Sequence, residues 1–504
     1  MTNRQPVRQN DYRIDIEDFG PIQRASVDVR PFTVFIGPSN TGKSYLAILI
    51  YALHRSLDVG HGRVPWRALD ARIAPSTITP GNKLLKDLKT WATRVSGEQP
   101  VPSPPPNVTA YIDEVLRNPK WLESAITDEL RRCFGVDRLD VLARRPDTGL
   151  GARVGFGAGD EGGPESARYE FRFGLDDHRL SGHVAPISSR LPDAARLKEM
   201  VAECTDWNPF DDDTLDDDFD STSFLRLIVV HLFRAFTAPM HRPAYYLPAD
   251  RTGVMHSHQV VVSTLVQSAT TAGLRPSTNV PMLSGVLADF LNQLIAMGGE
   301  QRPARRKPVA KLASGLERAV LNGSVQLTRK GTGYPHFTYR PDGWKDDLPL
   351  MRTSSMVSEL APVVLYLRHL VQRGSVLIIE EPESHLHPAM QAAFARELAR
   401  LVRAGVRIVI TTHSEWFLEQ IGNLVRLFSL PENQRAGITG ADVALSPEEV
   451  GAWLFKPGPE GSVVEEVEVD PETGLFPTDY DEVSQSLYNE GADIFNRLQE
   501  GPRE

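Results

Sequence analysis

The sequence predicts an α/β fold with a parallel sheet, because three apolar runs each end in polar residues that such a sheet would bring together. Residues 32–36 (FTVFI) are followed by a glycine-containing turn at 37–44 and by a mostly apolar run at 45–53. Two further runs, 376–379 (VLII) and 406–410 (VRIVI), have the nearly continuous apolar character of strands buried on both faces. Ligands of open α/β sheets bind beside the carboxyl ends of the strands. The three runs are therefore expected to meet at one site.

The turn at 37–44 reads GPSNTGKS, which is the complete phosphate-loop pattern G-x-x-x-x-G-K-S between a strand and a helix. Glycines let the backbone aim its N–H groups at phosphate oxygens, at a helix N-terminus whose dipole favours anions. The lysine would reach the β- and γ-phosphates, and the final serine hydroxyl would bind Mg²⁺. The predicted nucleotide-binding residues are Gly37, Pro38, Ser39, Asn40, Thr41, Gly42, Lys43 and Ser44, with Ser44 also a metal ligand.

Two carboxylates, Glu380 and Glu381, follow the apolar run at 376–379. One can hold Mg²⁺, while the next orients and deprotonates the attacking water. A helix is predicted from Pro388, since proline suits the first helical turn, and the following strand leads to His413, which suits contact with the γ-phosphate. Without the phosphate loop, these residues would be interpreted as exposed acids and a structural histidine.

Composition and hydropathy argue against a disulfide-rich protein and against a membrane-spanning one. The chain has 504 residues, a formal net charge of −10 and only two cysteines, Cys133 and Cys204, which fits a reducing compartment and no disulfide framework. Its start has no apolar leader, and the nearest approach to a membrane span, 225–236, carries Arg226, His231 and Arg234. We expect a cytoplasmic protein with no membrane partner.

The order of these motifs resembles the ATPases of the ABC clade that are not transporter subunits, a group that includes RecF-like, SMC-like and overcoming-lysogenization-defect (OLD) proteins and is often labelled AAA-type. The resemblance rests on the phosphate loop, EEPESHLHP at 380–388, TTHS at 411–414 and a hairpin-like opening at 14–22. It implies a P-loop NTPase of the ABC-ATPase type that uses ATP and Mg²⁺. It also assigns Glu380 to the metal side of Walker B, Glu381 to the catalytic base, residues 384–387 to the D-loop, and His413 to the switch histidine.

The stretch 353–360 stands where these relatives carry a signature motif, although its glycines are missing. By resemblance Ser355 would contact the γ-phosphate held by a second copy. The alternative is that Ser354 and Ser358 merely cap a helix.

The stretch 245–251 (YYLPADR) resembles the strand and turn that relatives place beside the nucleotide. Arg251 is therefore a candidate nucleotide-binding residue that senses phosphate. The equally weighted alternative is that it pairs with Asp250.

Lys43 and Glu380 are 337 positions apart, which predicts a large insertion. Proline and glycine at 101–106 and 149–163 argue against a long coiled coil, whereas a helical stretch at 111–133 and alternation at 167–173 indicate a mixed α+β region. No TOPRIM nuclease domain is expected, since the chain after His413 is short and the Asp-x-Asp expected directly after a strand is not visible there. The predicted boundaries are 1–55 (N-terminal ATPase part with Walker A), 56–240 (insertion), 241–350 (rest of the first lobe), 351–430 (signature, Walker B and switch histidine) and 431–504 (C-terminal strand–helix extension).

The resemblance implies a homodimer or higher oligomer, closed head to tail by ATP and reopened by hydrolysis, that drives DNA repair or phage defence with a separately encoded effector protein. The basic segment 301–311 is a candidate DNA contact or an exposed loop, and the acidic segment 208–220 is most simply a solvated loop. The alternative function is an ATP-switched scaffold that recruits a partner with slow turnover and no direct DNA action. A transporter subunit is disfavoured by the insertion and the degenerate signature.

Overall fold

The computed structural model describes residues 11–57, 80–97, 100–144, 151–158, 167–174, 178–184, 191–205, 219–256, 283–297, 308–328, 335–475 and 478–500. The strands in these ranges are β1 Tyr12–Phe19, β2 Ile22–Val29, β3 Phe32–Ile36, β4 Ala152–Ala158, β5 Ala167–Phe173, β6 His178–Val184, β7 Ala244–Leu247, β8 Gly323–Thr328, β9 His336–Pro341, β10 Leu348–Pro349, β11 Val376–Glu380, β12 Arg407–Thr412, β13 Val450–Lys456, β14 Ser462–Val467, β15 Val469–Asp470 and β16 Gly474–Leu475.

The α-helices in the same ranges are α1 Lys43–Leu57, α2 Asn82–Gly97, α3 Pro106–Arg117, α4 Lys120–Phe134, α5 Ala194–Thr205, α6 Ser221–Phe236, α7 Gly285–Met297, α8 Pro308–Leu316, α9 Ser355–His369, α10 Pro388–Arg403, α11 Glu415–Ser429, α12 Glu432–Arg435 and α13 Thr478–Glu500. A π-helical turn, Glu317–Leu321, extends α8.

One sheet of eleven strands organises the described chain, in the order β6-β5-β4-β1-β2-β14-β13-β3-β12-β11-β7. Strands β13, β3, β12, β11 and β7 pair in parallel. At the other end, β6, β5, β4, β1 and β2 pair antiparallel, so the predicted parallel sheet is half of a mixed one. The α/β prediction is confirmed, and three strands of the predicted insertion extend the same sheet.

The parallel strands bring their carboxyl ends into line. Ile36 of β3 lies opposite Thr412 of β12, and Thr411 lies opposite Glu380 of β11. The loops that follow these three strands carry the phosphate loop, the paired acids and the histidine. The register therefore places residues from three distant segments at one edge.

Both faces of the parallel half are buried, as its continuous apolar runs require. Phe35, Ile378 and Val409 belong to a core shared with α1 and the helices of the 80–240 region, whereas Val34 and Ile410 belong to a second core with α8 to α11. All five side chains are fully buried, and each contributes about 1.5–3 kcal/mol of burial free energy. The two cores pack against opposite faces of the strands whose ends carry the site.

Several sequence predictions need correction. The helical stretch at 111–133 is two helices, because Asn118 precedes Pro119 and a residue before proline avoids the helical region. The glycine-rich run at 149–163 contains strand β4, which the sequence did not predict. The strand expected at 462–469 divides into β14 and β15.

Two expectations fall partly outside the described residues. The acidic segment is described only at Phe219 and Asp220, where Asp220 caps the N-terminus of α6. The basic segment is described only at 308–311, in α8. Cys133 and Cys204 are both buried and free. Among the helices described, none is long and apolar enough to cross a membrane.

Candidate nucleotide-binding and hydrolysis site

The phosphate loop connects β3 to α1 and depends on backbone conformations that favour glycine. Gly37 has φ 133° and Gly42 has φ 98°, while Asn40 takes φ 65° without being glycine. A Cβ on Gly37 would lie 2.6 Å from the carbonyl oxygen of Phe455 on β13. Both the left-handed φ and the neighbouring strand therefore require glycine here.

Lys43 is the first residue of α1 and is only 6% exposed. Its Nζ donates to the carbonyl oxygens of Gly37 at 2.8 Å and Pro38 at 2.6 Å. Burial lowers the pKa of Lys43 to about 8, although Glu381, Glu383 and Glu380 each act to raise it. The ammonium thus lies inside the loop, facing three carboxylates.

Ser44 is exposed at the start of the same helix, and Ser39 and Asn40 are exposed in the loop. A buried ammonium at a helix N-terminus favours phosphate, whereas a serine hydroxyl and nearby carboxylates favour a hard cation. A group that attracts an anion beside groups that attract a cation matches the charges of a polyphosphate with bound Mg²⁺. The residues present therefore fit ATP and Mg²⁺.

The two acids predicted to form Walker B, Glu380 and Glu381, differ in their surroundings. Glu380 ends β11 and is 8% exposed, and its Oε2 accepts the N–H of Ala249 at 3.2 Å. The side chain of Glu381 is 42% exposed, so solvent reaches it. Glu381 has φ 42°, a left-handed conformation that costs a non-glycine residue about 1–3 kcal/mol. Such strain concentrates at functional sites, and here it falls on the predicted catalytic base.

His413 follows β12, and its Nε2 lies 3.8 Å from Oε1 of Glu381. Burial and the positive charge of Lys43 lower the pKa of His413, while Glu381 and a hydrogen bond with the Gly37 backbone oppose that change. The lowered pKa favours the neutral form of the imidazole. It bridges the phosphate loop and the paired acids.

Glu383 also belongs to this edge, and sequence reasoning gave it no role. Its Oε1 accepts the hydroxyl of Thr412 at 2.8 Å and the backbone N–H of His413 at 2.6 Å. Burial raises the pKa of Glu383, and within the described residues its buried Oε2 has no hydrogen-bond partner. The available signal was a third acid in the run EEPE, immediately beyond the strand.

The structure changes the interpretation of Arg251. Its side chain is 0% exposed and pairs with Glu359, with 2.5 Å between its terminal nitrogen and Oε1, rather than with Asp250. Its other donors reach backbone carbonyls, including those of Glu380 and Glu381. A side chain enclosed in this way does not present its charge to a phosphate, so neither sequence-based alternative describes it.

Ser355 is the first residue of α9 and is exposed. Ser354 caps the helix by accepting the N–H of Val357 at 3.4 Å. Ser358 is not a cap: it is buried, and its hydroxyl donates to the Leu350 carbonyl at 3.2 Å. The helix start thus leaves the Ser355 side chain on the surface.

Residues 290–418 match the family model of the AAA ATPase domain. This range contains Ser355, Glu380, Glu381 and His413, and it lies downstream of the phosphate loop. The match confirms the predicted resemblance to ATPases of this kind. No curated protein matches the chain.

Solved structures with similarity to the chain include three heads of SMC proteins. They are an Smc head bound to the C-terminal winged-helix domain of ScpA (9% identity, 91% of this chain and 97% of that chain covered, TM-score 0.38), an Smc head bound to the C-terminal domain of ScpA derived from Pyrococcus furiosus (10%, 96% and 100%, 0.41), and the SMC head domain from Thermotoga maritima (11%, 91% and 98%, 0.34). These values describe a distant likeness only.

The site as built can bind an anion, hold a cation and move a proton. Lys43 and the start of α1 supply the positive end, and the Glu380 carboxylate and the Ser44 hydroxyl are oxygen donors of the kind that a hard cation takes. Glu381 is a solvent-accessible carboxylate beside a neutral imidazole, which suits proton acceptance from water. These capacities are those that phosphoryl transfer requires.

Proposed function

We propose that this chain binds and hydrolyses ATP, and that it does so as a head-to-tail dimer. The observation that carries the proposal is the convergence of Lys43, Glu380, Glu381 and His413 at the carboxyl edge of β3, β11 and β12. These residues come from three segments of the chain and bring opposite charges together around a strained backbone. The match over 290–418 to the AAA ATPase domain supports the same function.

Each residue has a separate task in this proposal. Lys43 binds phosphate and offsets its charge, and Glu380 and Ser44 hold the metal. Glu381 orients the attacking water and accepts its proton. His413 lies between Glu381 and the phosphate loop and keeps the two in position. Attack of this water on the γ-phosphorus of ATP would release ADP and phosphate, and Mg²⁺, when bound, would offset the negative charge on the phosphate oxygens. Catalysis is then mainly positioning and charge stabilisation.

Dimerisation is proposed from the resemblance to ABC-clade ATPases, in which a second copy completes the nucleotide site. Ser355, exposed at the start of α9, is suited to reach nucleotide bound by a second copy. Its replacement by alanine should weaken ATP-dependent dimerisation and leave ATP binding by the monomer unchanged. Light scattering with and without nucleotide measures the first property, and a fluorescent ATP analogue measures the second.

The deciding experiment replaces Glu381 with glutamine and measures turnover and ATP binding. Loss of a general base should lower turnover about 100-fold or more, while nucleotide affinity persists and ATP-bound dimers accumulate. Glu415→Gln is the matched control, because Glu415 is an exposed acid two residues beyond His413. Equal turnover in wild type and Glu381→Gln would refute this mechanism.

We further propose that turnover serves a DNA-related process, repair or phage defence, with a separate effector. The basic segment 301–311 supports a DNA contact by its charge. DNA-stimulated hydrolysis that disappears in Arg305→Ser/Arg306→Ser/Lys307→Ser would support it. Equal turnover with and without DNA favours the second candidate, an ATP-switched scaffold.

Helix α13 supports a protein partner in either case. Its exposed apolar side chains, Leu487, Tyr488, Ile494, Phe495 and Leu498, recur with helical spacing and are 54–75% exposed. Its charges are mostly acidic, with Arg497 as the only basic residue in 478–500. Because two copies of this helix would repel each other, the surface fits an effector helix with basic flanks. Leu487→Asp/Phe495→Asp should abolish effector binding, and loss of a homodimer instead would assign the surface to self-association.

A further inference from the structure

The guanidinium of Arg251 donates hydrogen bonds to several backbone carbonyl oxygens, including those of the predicted Walker B acids. One terminal nitrogen donates to the carbonyl oxygens of Pro248 at 3.0 Å and Glu380 at 2.6 Å. The other donates to the carbonyl oxygen of Glu381 at 3.1 Å. The Nε donates to the carbonyl oxygen of Glu359 at 3.2 Å. A planar guanidinium offers these donors in a rigid fork, which lysine cannot reproduce.

The backbone held in this way is the strained one. Glu381 has φ 42°, and its N–H donates to the Thr411 carbonyl at 2.9 Å. Its own carbonyl accepts from Arg251 and from the N–H of Ser384 at 3.1 Å. A strained conformation persists only when its surroundings over-determine it. Arg251 supplies one of the contacts that do so.

Arg251 also joins this backbone to α9. The Glu359 carboxylate, 1% exposed, pairs with the guanidinium and accepts the hydroxyl of Thr252. One residue earlier, the hydroxyl of Ser358 lies 2.9 Å from Nε2 of His256. The helical residues 251–256 therefore connect the helix that begins at Ser355 to the end of β11.

We propose that Arg251 is a positioning residue: it holds the Glu381 backbone in its left-handed conformation and links that conformation to the position of α9. In the hydrolysis proposed above, on which this role rests, a shift of α9 on dimerisation reaches the catalytic carboxylate through Glu359 and Arg251. Arg251 contacts neither nucleotide nor water in this role. It acts entirely through Glu381.

Removing only one member of a buried ion pair destabilises a protein strongly, whereas replacing both with uncharged groups is often neutral. The test therefore uses the double variant Arg251→Met/Glu359→Gln together with Arg251→Lys, which keeps the charge pair but loses the fork. Both variants lose donors to buried carbonyl oxygens and should melt at a lower temperature than wild type. At a temperature where circular dichroism shows them folded, they should bind ATP with affinity within about threefold of wild type. Their turnover should fall at least tenfold, because the general base loses its orientation.

A second buried pair provides the matched control. Arg407 and Asp11 lie 3.2 Å apart and are similarly buried, at the end of β12 remote from the site. Arg407→Met/Asp11→Asn should leave turnover per folded molecule unchanged. If it lowers turnover as much as the Arg251 double variant does, the effect belongs to buried charge in general and the proposal fails.

Hydrogen exchange of the nucleotide-free protein gives a readout that does not depend on activity. The amides of Glu381 and Ser384, followed in a peptide spanning 376–386, should exchange at least tenfold faster in both Arg251 variants and at the wild-type rate in the control. Wild-type exchange and turnover in the double variant would overturn the positioning role while leaving ATP hydrolysis intact. A wild-type protein without turnover would instead refute the proposed function, and exchange would still decide whether Arg251 holds this backbone.

Discussion

Lys43 should take up a proton when nucleotide binds at alkaline pH. Burial lowers the pKa of Lys43 to about 8 in the nucleotide-free protein, so the side chain titrates near the working range. Phosphate oxygens beside the ammonium favour its charged form and raise its pKa. Binding is therefore expected to draw a proton from solution whenever the free protein has lost one.

The size of the effect follows from the pKa. With a value of about 8, the free protein lacks roughly 0.1 proton on Lys43 at pH 7, about 0.5 at pH 8 and about 0.9 at pH 9. ATP affinity should therefore fall about tenfold between pH 7 and pH 9, or about 1.4 kcal/mol. Because the pKa of His413 is lowered rather than raised, this histidine stays neutral over the range and does not add to the uptake.

The same shift has a consequence for stability. A lysine whose folded pKa lies below its unfolded value of 10.5 destabilises the folded protein when charged. The free energy of unfolding should thus rise with pH between about 8 and 10.5, by at most on the order of 3 kcal/mol. Lys43→Met should accordingly make the nucleotide-free protein more stable at pH 7, while abolishing ATP binding.

Isothermal titration calorimetry in two buffers of different ionisation enthalpy measures the proton uptake at each pH. Urea unfolding of wild type and Lys43→Met measures the stability difference. Uptake near zero at pH 8, or a Lys43→Met protein less stable than wild type at pH 7, would show that the ammonium is not desolvated as the structure indicates.

Two further predictions concern the scaffold of the site. Gly37→Ala should abolish ATP binding and lower the free energy of unfolding by about 2 kcal/mol or more, since a Cβ would lie 2.6 Å from the Phe455 carbonyl at φ 133°. The control is Gly343→Ala, which isolates backbone strain because Gly343 has φ 80° and a Cβ there would meet nothing within 4 Å. Equal losses in the two variants would exclude the contact with β13. Ile410→Ala, at a fully buried position of β12, should cost about 2–5 kcal/mol in urea unfolding, against less than about 0.5 kcal/mol for exposed Val141→Ala. A smaller cost would show that the core closes over the cavity.

Sequence reasoning succeeded where the determining interactions are local. The turn at 37–44 is contiguous and follows a strand, so its conformation and chemistry can be predicted from neighbouring residues. The runs ending at Glu380 and Thr412 are apolar enough to require burial on both faces, which predicts strands. The roles assigned to Glu381, His413 and Ser355 remain proposals.

Sequence reasoning failed where the interactions that determine a local structure involve residues distant along the chain. Strand β4 was missed because Gly155 and Gly157 suggested a break, yet Val154 and Phe156 are buried and β1 and β5 pair with the strand on either side. Glycine weakens a strand in isolation, but neighbouring strands can override that weakness. Local propensity alone could not decide whether this segment forms a strand or a break.

By itself, the sequence determined that the chain carries a phosphate loop and the buried strands around it, because loop chemistry and strand burial depend on adjacent side chains. Only the tertiary structure decided the surroundings of the acids: the left-handed backbone of Glu381, the place of Glu383 beside His413, and the pairing of Arg251 with a glutamate more than a hundred residues away. These features depend on the register of parallel strands and on burial, which set distances between remote residues and the free energy of their charges. The physical reason is that hydrogen bonds and desolvation act through space.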